Sequence, residues 1–122
     1  MARIFKIMVT GSRHHTDGDL IWGTLDDIVD GFAGDNRVLL IEGGATGADR
    51  IARAWASSRN YDIETFKADW DRLGRAAGPF RNQKMVDQDP DYVAAFPLSD
   101  SRGTWDAIRR AESAGIPVRI EK

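Results

Sequence analysis

Val38-Leu-Leu-Ile-Glu-Gly-Gly-Ala-Thr-Gly-Ala-Asp49 is the stretch on which the fold turns. Its first four residues form a continuous apolar run, the kind found in a central strand buried on both faces of a sheet. A glycine-rich loop follows, and then Ala48, Ile51, Ala52, Trp55 and Ala56 recur at helical spacing. Adjacent glycines between strand and helix let the backbone adopt positive φ and come close to a ligand. The loop N–H groups and the helix dipole favour an anion there, typically a phosphate. The same residues also read as a tight turn in which Thr46 caps the helix and Asp49 complements its dipole.

Outward from this stretch the alternation repeats. Ile4 to Val9 reads as a strand, Thr10 to Asp17 as a polar loop, and Leu20, Ile21, Leu25, Ile28, Val29 and Phe32 as one apolar helix face closed by Gly34-Asp35-Asn36. Tyr61 to Phe66 is a weaker strand, Tyr92 to Phe96 a better one, Trp105 to Ala114 a helix, and Ile116 to Ile120 a final strand. Ala68 to Pro90 fits less cleanly, with a short helix expected from Phe80 to Asp87. The pattern predicts an α/β fold of the Rossmann-like kind, three layers with a mostly parallel five-stranded sheet in which Val38 to Ile41 is central.

Length and composition agree with this. The chain has 122 residues, 42% hydrophobic and 30% charged, which suits one domain over 1–122. Without cysteine, disulfides, thiolate metal sites and thiol catalysis are excluded. No apolar run reaches the ~18 residues of a membrane span, and Met1-Ala-Arg-Ile-Phe-Lys6 lacks the apolar core of a signal peptide, so a cytoplasmic location is expected. With 17 basic and 19 acidic residues, a net charge of −2 and a pI of about 5.6, general affinity for nucleic acid is not expected and any anion site is local.

In a sheet of this kind ligands bind outside the carboxyl ends of the strands. Four polar segments fall there: Thr10-Gly-Ser-Arg13, Glu42 to Asp49, Asp69-Trp70, and Ser99-Asp-Ser-Arg-Gly-Thr104. Ser12 and Arg13 supply a hydroxyl and a guanidinium suited to a phosphate, or simply form a solvated turn. Gly74-Arg-Ala-Ala-Gly-Pro-Phe-Arg-Asn82 reads as a loop that folds over a ligand with Arg75 and Arg81, or as an exposed basic turn. Trp70 is placed to stack on a base or to join the core, Trp22 to stack if its helix starts at the site, while Trp55 and Trp105 lie on apolar helix faces. The spelling is neither GxGxxG nor GxxxxGK[ST], which excludes the dinucleotide fingerprint and a P-loop. His14, His15 and Asp17 do not make a convincing metal set, because adjacent loop histidines project apart and no further histidine exists. No metal or cofactor is expected.

Taken together, Gly11-Ser-Arg13, Gly43-Gly-Ala-Thr-Gly-Ala-Asp49, Asp69-Trp70 and Gly74-x-Ala-Ala-Gly-Pro-x-Arg-Asn82-x-x-Met85 resemble the small YspA/YpsA-related branch of the SLOG superfamily, found in bacteria and phages. The superfamily includes the Smf/DprA proteins and the LOG phosphoribohydrolases. The resemblance implies a Rossmann-like fold and a site for a nucleotide or a nucleotide-derived ligand such as an ADP-ribose derivative. It would be made by Gly11, Ser12, Arg13, Gly43, Gly44, Thr46, Gly47, Asp49, Trp70, Arg75, Arg81, Asn82, Gly103 and Thr104. The second glycine motif of the LOG enzymes, PGGxGTxxE, falls on Pro97 to Ala107, where only Pro97, Gly103 and Thr104 match and Ala107 replaces the glutamate that assists N-glycosidic cleavage.

Three functions follow as expectations. The first is a binding module that senses or sequesters the ligand, with phosphate on Gly43, Gly44 and Gly47, a ribose on Asp49 and a base under Trp70. The second is an N-glycosidic hydrolase of nucleoside monophosphates, with Asp69, Asp100 or Asp106 as acid or base. The third is a DNA-processing module, which the acidic pI disfavours. Small proteins of this fold commonly form homodimers, so pairing through exposed apolar residues is also expected.

Overall fold

A computed structural model describes residues 3–99 and 101–122. The chain runs β1 (Ile4–Gly11), α1 (Gly18–Phe32), β2 (Arg37–Glu42), α2 (Ala48–Ser58), β3 (Asp62–Thr65), α3 (Trp70–Leu73), a 3-10 turn (Gly74–Ala76), α4 (Ala77–Val86), β4 (Tyr92–Phe96), α5 (Arg102–Ser113) and β5 (Val118–Ile120). The five strands form one sheet in the order β3-β2-β1-β4-β5, and every pairing is parallel. This is the Rossmann-like α/β architecture that the alternating pattern predicts.

Two buried clusters, one on each face, explain the sequence pattern. Phe5, Ile7 and Val9 of β1, Leu40 of β2 and Phe96 of β4 pack with Ile21, Leu25, Ala52 and Trp55 from α1 and α2. The alternate residues Met8, Ile41 and Val93 turn the other way, onto Met85, Val86, Ala107 and Ala111 from α4 and α5. Because side chains alternate along a strand, a run apolar at every position is what a sheet covered on both faces requires.

The structure corrects several details. Val38 to Ile41 lies inside the sheet, but the middle strand is β1, which pairs with β2 on one side and β4 on the other. Strand β3 is a four-residue edge, exposed at every position, which is why it reads weakly in the sequence. Phe32 does not complete the buried face of α1, being 61% exposed at the helix end, and Trp105 is only half-buried, with the Lys122 ammonium 5.5 Å from its ring. The short helix of the second half begins earlier, at Ala77, and a further turn, α3, precedes it, capped by Asp69, whose carboxylate accepts from the Arg72 N–H at 3.2 Å. Thr46 is not a helix cap: Gly47 holds that position at φ 69°, and the Thr46 hydroxyl donates to the Arg13 carbonyl instead.

Candidate functional site

Parallel pairing throughout puts the loops after β1, β2, β3 and β4 on one edge of the sheet. The first two touch. The Ser12 carbonyl accepts from the Ala48 N–H at 3.1 Å, and a Cβ on Gly47 would lie 2.4 Å from that same carbonyl oxygen and 2.5 Å from the Arg13 carbonyl carbon. Only glycine, which is also free to hold positive φ, fits where one backbone rests on the other. Gly11 is tight for the same reason, with Ala48 Cβ 2.5 Å from where its own would be. Ser12 is buried, and its hydroxyl accepts from the His14 N–H at 3.0 Å, while the Arg13 side chain reaches into solvent.

The loop after β2 is organised by two inward-turned carboxylates. Glu42, fully buried, accepts from the Gly44 N–H and from Arg53, both at 2.7 Å, and from the Thr65 hydroxyl of the neighbouring strand. Asp49, 5% exposed, accepts through one oxygen from the N–H groups of Gly43 and Ala45, each at 3.2 Å. Its other oxygen has no partner among the described residues. Burial raises the Asp49 carboxyl to about 6, helped by the Glu42 charge and opposed by the two N–H bonds and by Arg81. The N–H groups of Gly43, Gly44 and Ala45, part of what the sequence offers to a phosphate, are thus engaged by the protein's own carboxylates.

From here a chain of polar contacts crosses to α4 and α5. The Arg81 guanidinium donates to the Gly43 carbonyl at 2.8 Å, and its Nε donates to the Asn82 side chain at 2.9 Å. Burial lowers the Arg81 pKa, while the charges of Asp49 and Glu42 favour its ionised form. Asn82, itself buried, donates to the Gly103 carbonyl at 3.1 Å and to Asp106 at 3.0 Å. Burial alone would raise the Asp106 carboxyl, but bonds from Arg110 and Asn82 outweigh it and hold the pKa below the usual range. Thr104 is buried in the first turn of α5.

The predicted residues therefore fall into three groups. Gly43, Gly44, Asp49 and Arg81 meet directly; Gly11, Ser12, Arg13, Thr46 and Gly47 form the adjoining loop contact; Asn82, Gly103 and Asp106 join the first group through Arg81. Trp70 is 59% exposed, its ring edge against Gly78, and Arg75 is exposed in the 3-10 turn, both outside this hydrogen-bonded chain. Asp69 serves as a helix cap, and Asp100 lies outside the described residues. Trp22 is not at the edge: its Nε1 donates to the Ile51 carbonyl and the Arg59 guanidinium sits 5.3 Å from its ring, between α1 and α2. Among the described residues no group of three or more His, Cys, Asp or Glu is arranged to hold a metal ion, and no helix is long and apolar enough to cross a membrane.

Sequence reasoning overlooked Glu42, Thr65 and Arg53. The available signal was a carboxylate ending a fully apolar run, a position where an ionisable group needs partners.

A model of the YspA, cpYpsA-related SLOG family matches residues 5–73, from β1 through α3 and so across both loops that touch. Gene 61 protein of Mycobacterium phage D29 is 38% identical, with 93% of each chain covered. DNA processing protein A (DprA) from Streptococcus pneumoniae has the same fold, with a TM-score of 0.71 at 16% identity over 96% of this chain, which spans 50% of that one. The structure of TM1055 is similar as well, with a TM-score of 0.68 at 15% identity over 93% of this chain and 72% of the other. Those two likenesses are of fold alone. With the family model matched over more than half its length and a phage relative over nearly all of it, the chain belongs to the YspA, cpYpsA-related SLOG family.

Proposed function

We propose that the protein binds a nucleotide or nucleotide-derived ligand of the ADP-ribose kind across the carboxyl edge of its sheet, as a sensing or sequestering module. The observation that carries this reading is the continuous polar chain from Asp49 through Gly43, Arg81 and Asn82 to the start of α5. It joins the loops after β2 and β4 through the half-buried Arg81 of α4, and arginine's fork of donors suits phosphate oxygens. The exposed Trp70 ring, carried on the turn after β3, is available for a base.

Turnover has less support. Asp69 is engaged as a helix cap, Asp106 is held ionised by Arg110 and Asn82, and Ala107 carries no carboxylate. With its carboxyl held below the usual range, Asp106 is unsuited to the general-acid half of the cleavage.

Native mass spectrometry of the purified protein, followed by calorimetry with AMP and ADP-ribose, tests the reading. Intact ligand should be bound and no free base released over hours. Arg81→Ala should weaken binding tenfold to a hundredfold, since a charge-assisted hydrogen bond is worth about 1.5–3 kcal/mol. Unchanged affinity in a folded Arg81→Ala protein would place the ligand elsewhere. Multiple turnovers to free base would replace binding by hydrolysis.

A further inference from the structure

The first half of the glycine loop is already occupied by the protein's own carboxylates. Gly43 and Ala45 donate their N–H groups to one oxygen of Asp49, Gly44 donates to Glu42, and Ala48 donates to the Ser12 carbonyl. These are the donors that a glycine loop at a helix start would turn toward a bound oxyanion. Asp49, whose carboxylate occupies two of them, is almost wholly buried, yet its second oxygen meets no donor among the described residues. An ionised carboxylate and a phosphate dianion cannot share two N–H groups, because they repel and compete for the same hydrogens.

We propose that Asp49 is a proton-operated plug of this cradle: a dianionic oxyanion enters only as the Asp49 carboxyl takes up a proton from solvent and releases the N–H groups of Gly43 and Ala45. The step is a proton transfer alone: a hydronium ion or buffer acid gives up its proton, and one Asp49 oxygen gains an O–H bond. The proton settles on the carboxyl, which then becomes a donor to the incoming anion instead of its rival. The proposal rests on the reading above that the ligand carries a phosphate at this edge.

Charged groups act on Asp49 directly or stand on the loops packed beside it. Glu42 at the end of β2 adds negative charge, with Arg53 of α2 bonded to it, and Arg81 of α4 adds positive charge. The loop after β1, packed on Gly47, brings Arg13, His14 and His15, and Lys67 lies against Gly44. The test therefore has to separate Asp49 from these ionisable neighbours.

Sulfate, a dianion throughout the range used, is the probe, titrated calorimetrically into the full chain at pH 5.5 and pH 7.5 in buffers of different ionisation enthalpy. With the carboxyl titrating at about 6, binding should be roughly 25-fold weaker at pH 7.5 and take up close to one proton there. Asp49→Asn should bind at pH 7.5 about as tightly as the wild type does at pH 5.5, with no proton uptake. In the unmutated protein the Gly43 and Ala45 amide resonances should titrate together near pH 6 and shift again with sulfate, a readout that survives even if the variant fails to fold. The same pH dependence in Asp49→Asn would assign the effect to His14 or His15 and overturn the plug. AMP or ADP-ribose bound at pH 7.5 without proton uptake and indifferent to Asp49→Asn would remove the plug and leave the ligand reading standing. No binding of either nucleotide to either protein at either pH would remove both.

Discussion

The two ends of the sheet are built on opposite plans. At the carboxyl end, backbone rests on backbone at Gly47, two buried carboxylates hold the glycine loop, and Arg81 ties that loop to α4. At the amino end lies a groove of about 460 Å³, lined largely by Phe5, Phe32, Tyr92 and Ile4, whose polar side chains Asn36 and Asp91 accept from the backbone N–H groups of Arg3 and Lys6. Volume and chemistry thus point to different places. The chemistry decides, because burying charged groups costs several kcal/mol each unless they are paired, and a fold concentrates that cost where those groups have work to do. The amino-end groove asks nothing comparable of the sequence. A site whose polar groups satisfy one another closes on itself, so an empty volume is a poor guide to it.

The sharpest way to break this comparison is at Gly47. A valine there would combine positive φ with a clash against the Ser12 and Arg13 backbone, and should cost about 3–5 kcal/mol in urea unfolding. A loss under about 1 kcal/mol would mean that the two loops separate easily and that the tight edge is not tight.

Asp49→Asn probes the same edge through stability. The folded-state pKa of Asp49, about 6, stands above the ordinary 3.8, so the folded protein binds the extra proton and its stability falls as pH rises between roughly 4 and 6. Above that range the whole penalty is present. The asparagine variant, which carries no charge, should therefore be more stable than the wild type by about 1–3 kcal/mol at pH 7.5 and show little difference at pH 4. Thermal melts at the two pH values decide it, and an equal difference at both would show that the Asp49 charge is not what the loop resists.

At the amino end the expected effect is smallest. Arg37 and Asp62 form a 2.6 Å ion pair with both side chains more than half exposed, and Arg37→Ala should change stability by less than about 0.5 kcal/mol. A loss above 1 kcal/mol in chemical denaturation would show that this end, too, holds a cooperative polar network.

Much of the architecture was legible because it depends on short-range regularities. Val38 to Ile41 is apolar at every position, and Ile21, Leu25, Ile28 and Val29 recur at helical spacing, as the two-sided core demands. That β1 rather than β2 holds the centre was not legible, since strand order depends on where β4 returns and no local pattern encodes it. Helix α3 escaped because four residues with no buried side chain leave no periodicity to read. At the site, the glycines and Arg81 stood out by type and spacing. The roles of Glu42 and Asp49 did not, because a carboxylate beside glycines looks alike whether it faces solvent or turns inward, and only the contacts with Gly43, Ala45 and Thr65 distinguish the two.

The position of β1 also sets a timetable. Its residues Ile7 to Gly11 pair with Tyr92 to Phe96, 85 residues further along the chain, so during synthesis that edge waits for its partner. At the usual pace of a ribosome, about 5–20 residues per second, the delay is on the order of ten seconds. In that interval the first three strands and their two helices lack Phe96 for their own core, and one side of the middle strand, with Met8 and Val9 among its residues, still offers unpaired N–H and carbonyl groups to any passing chain.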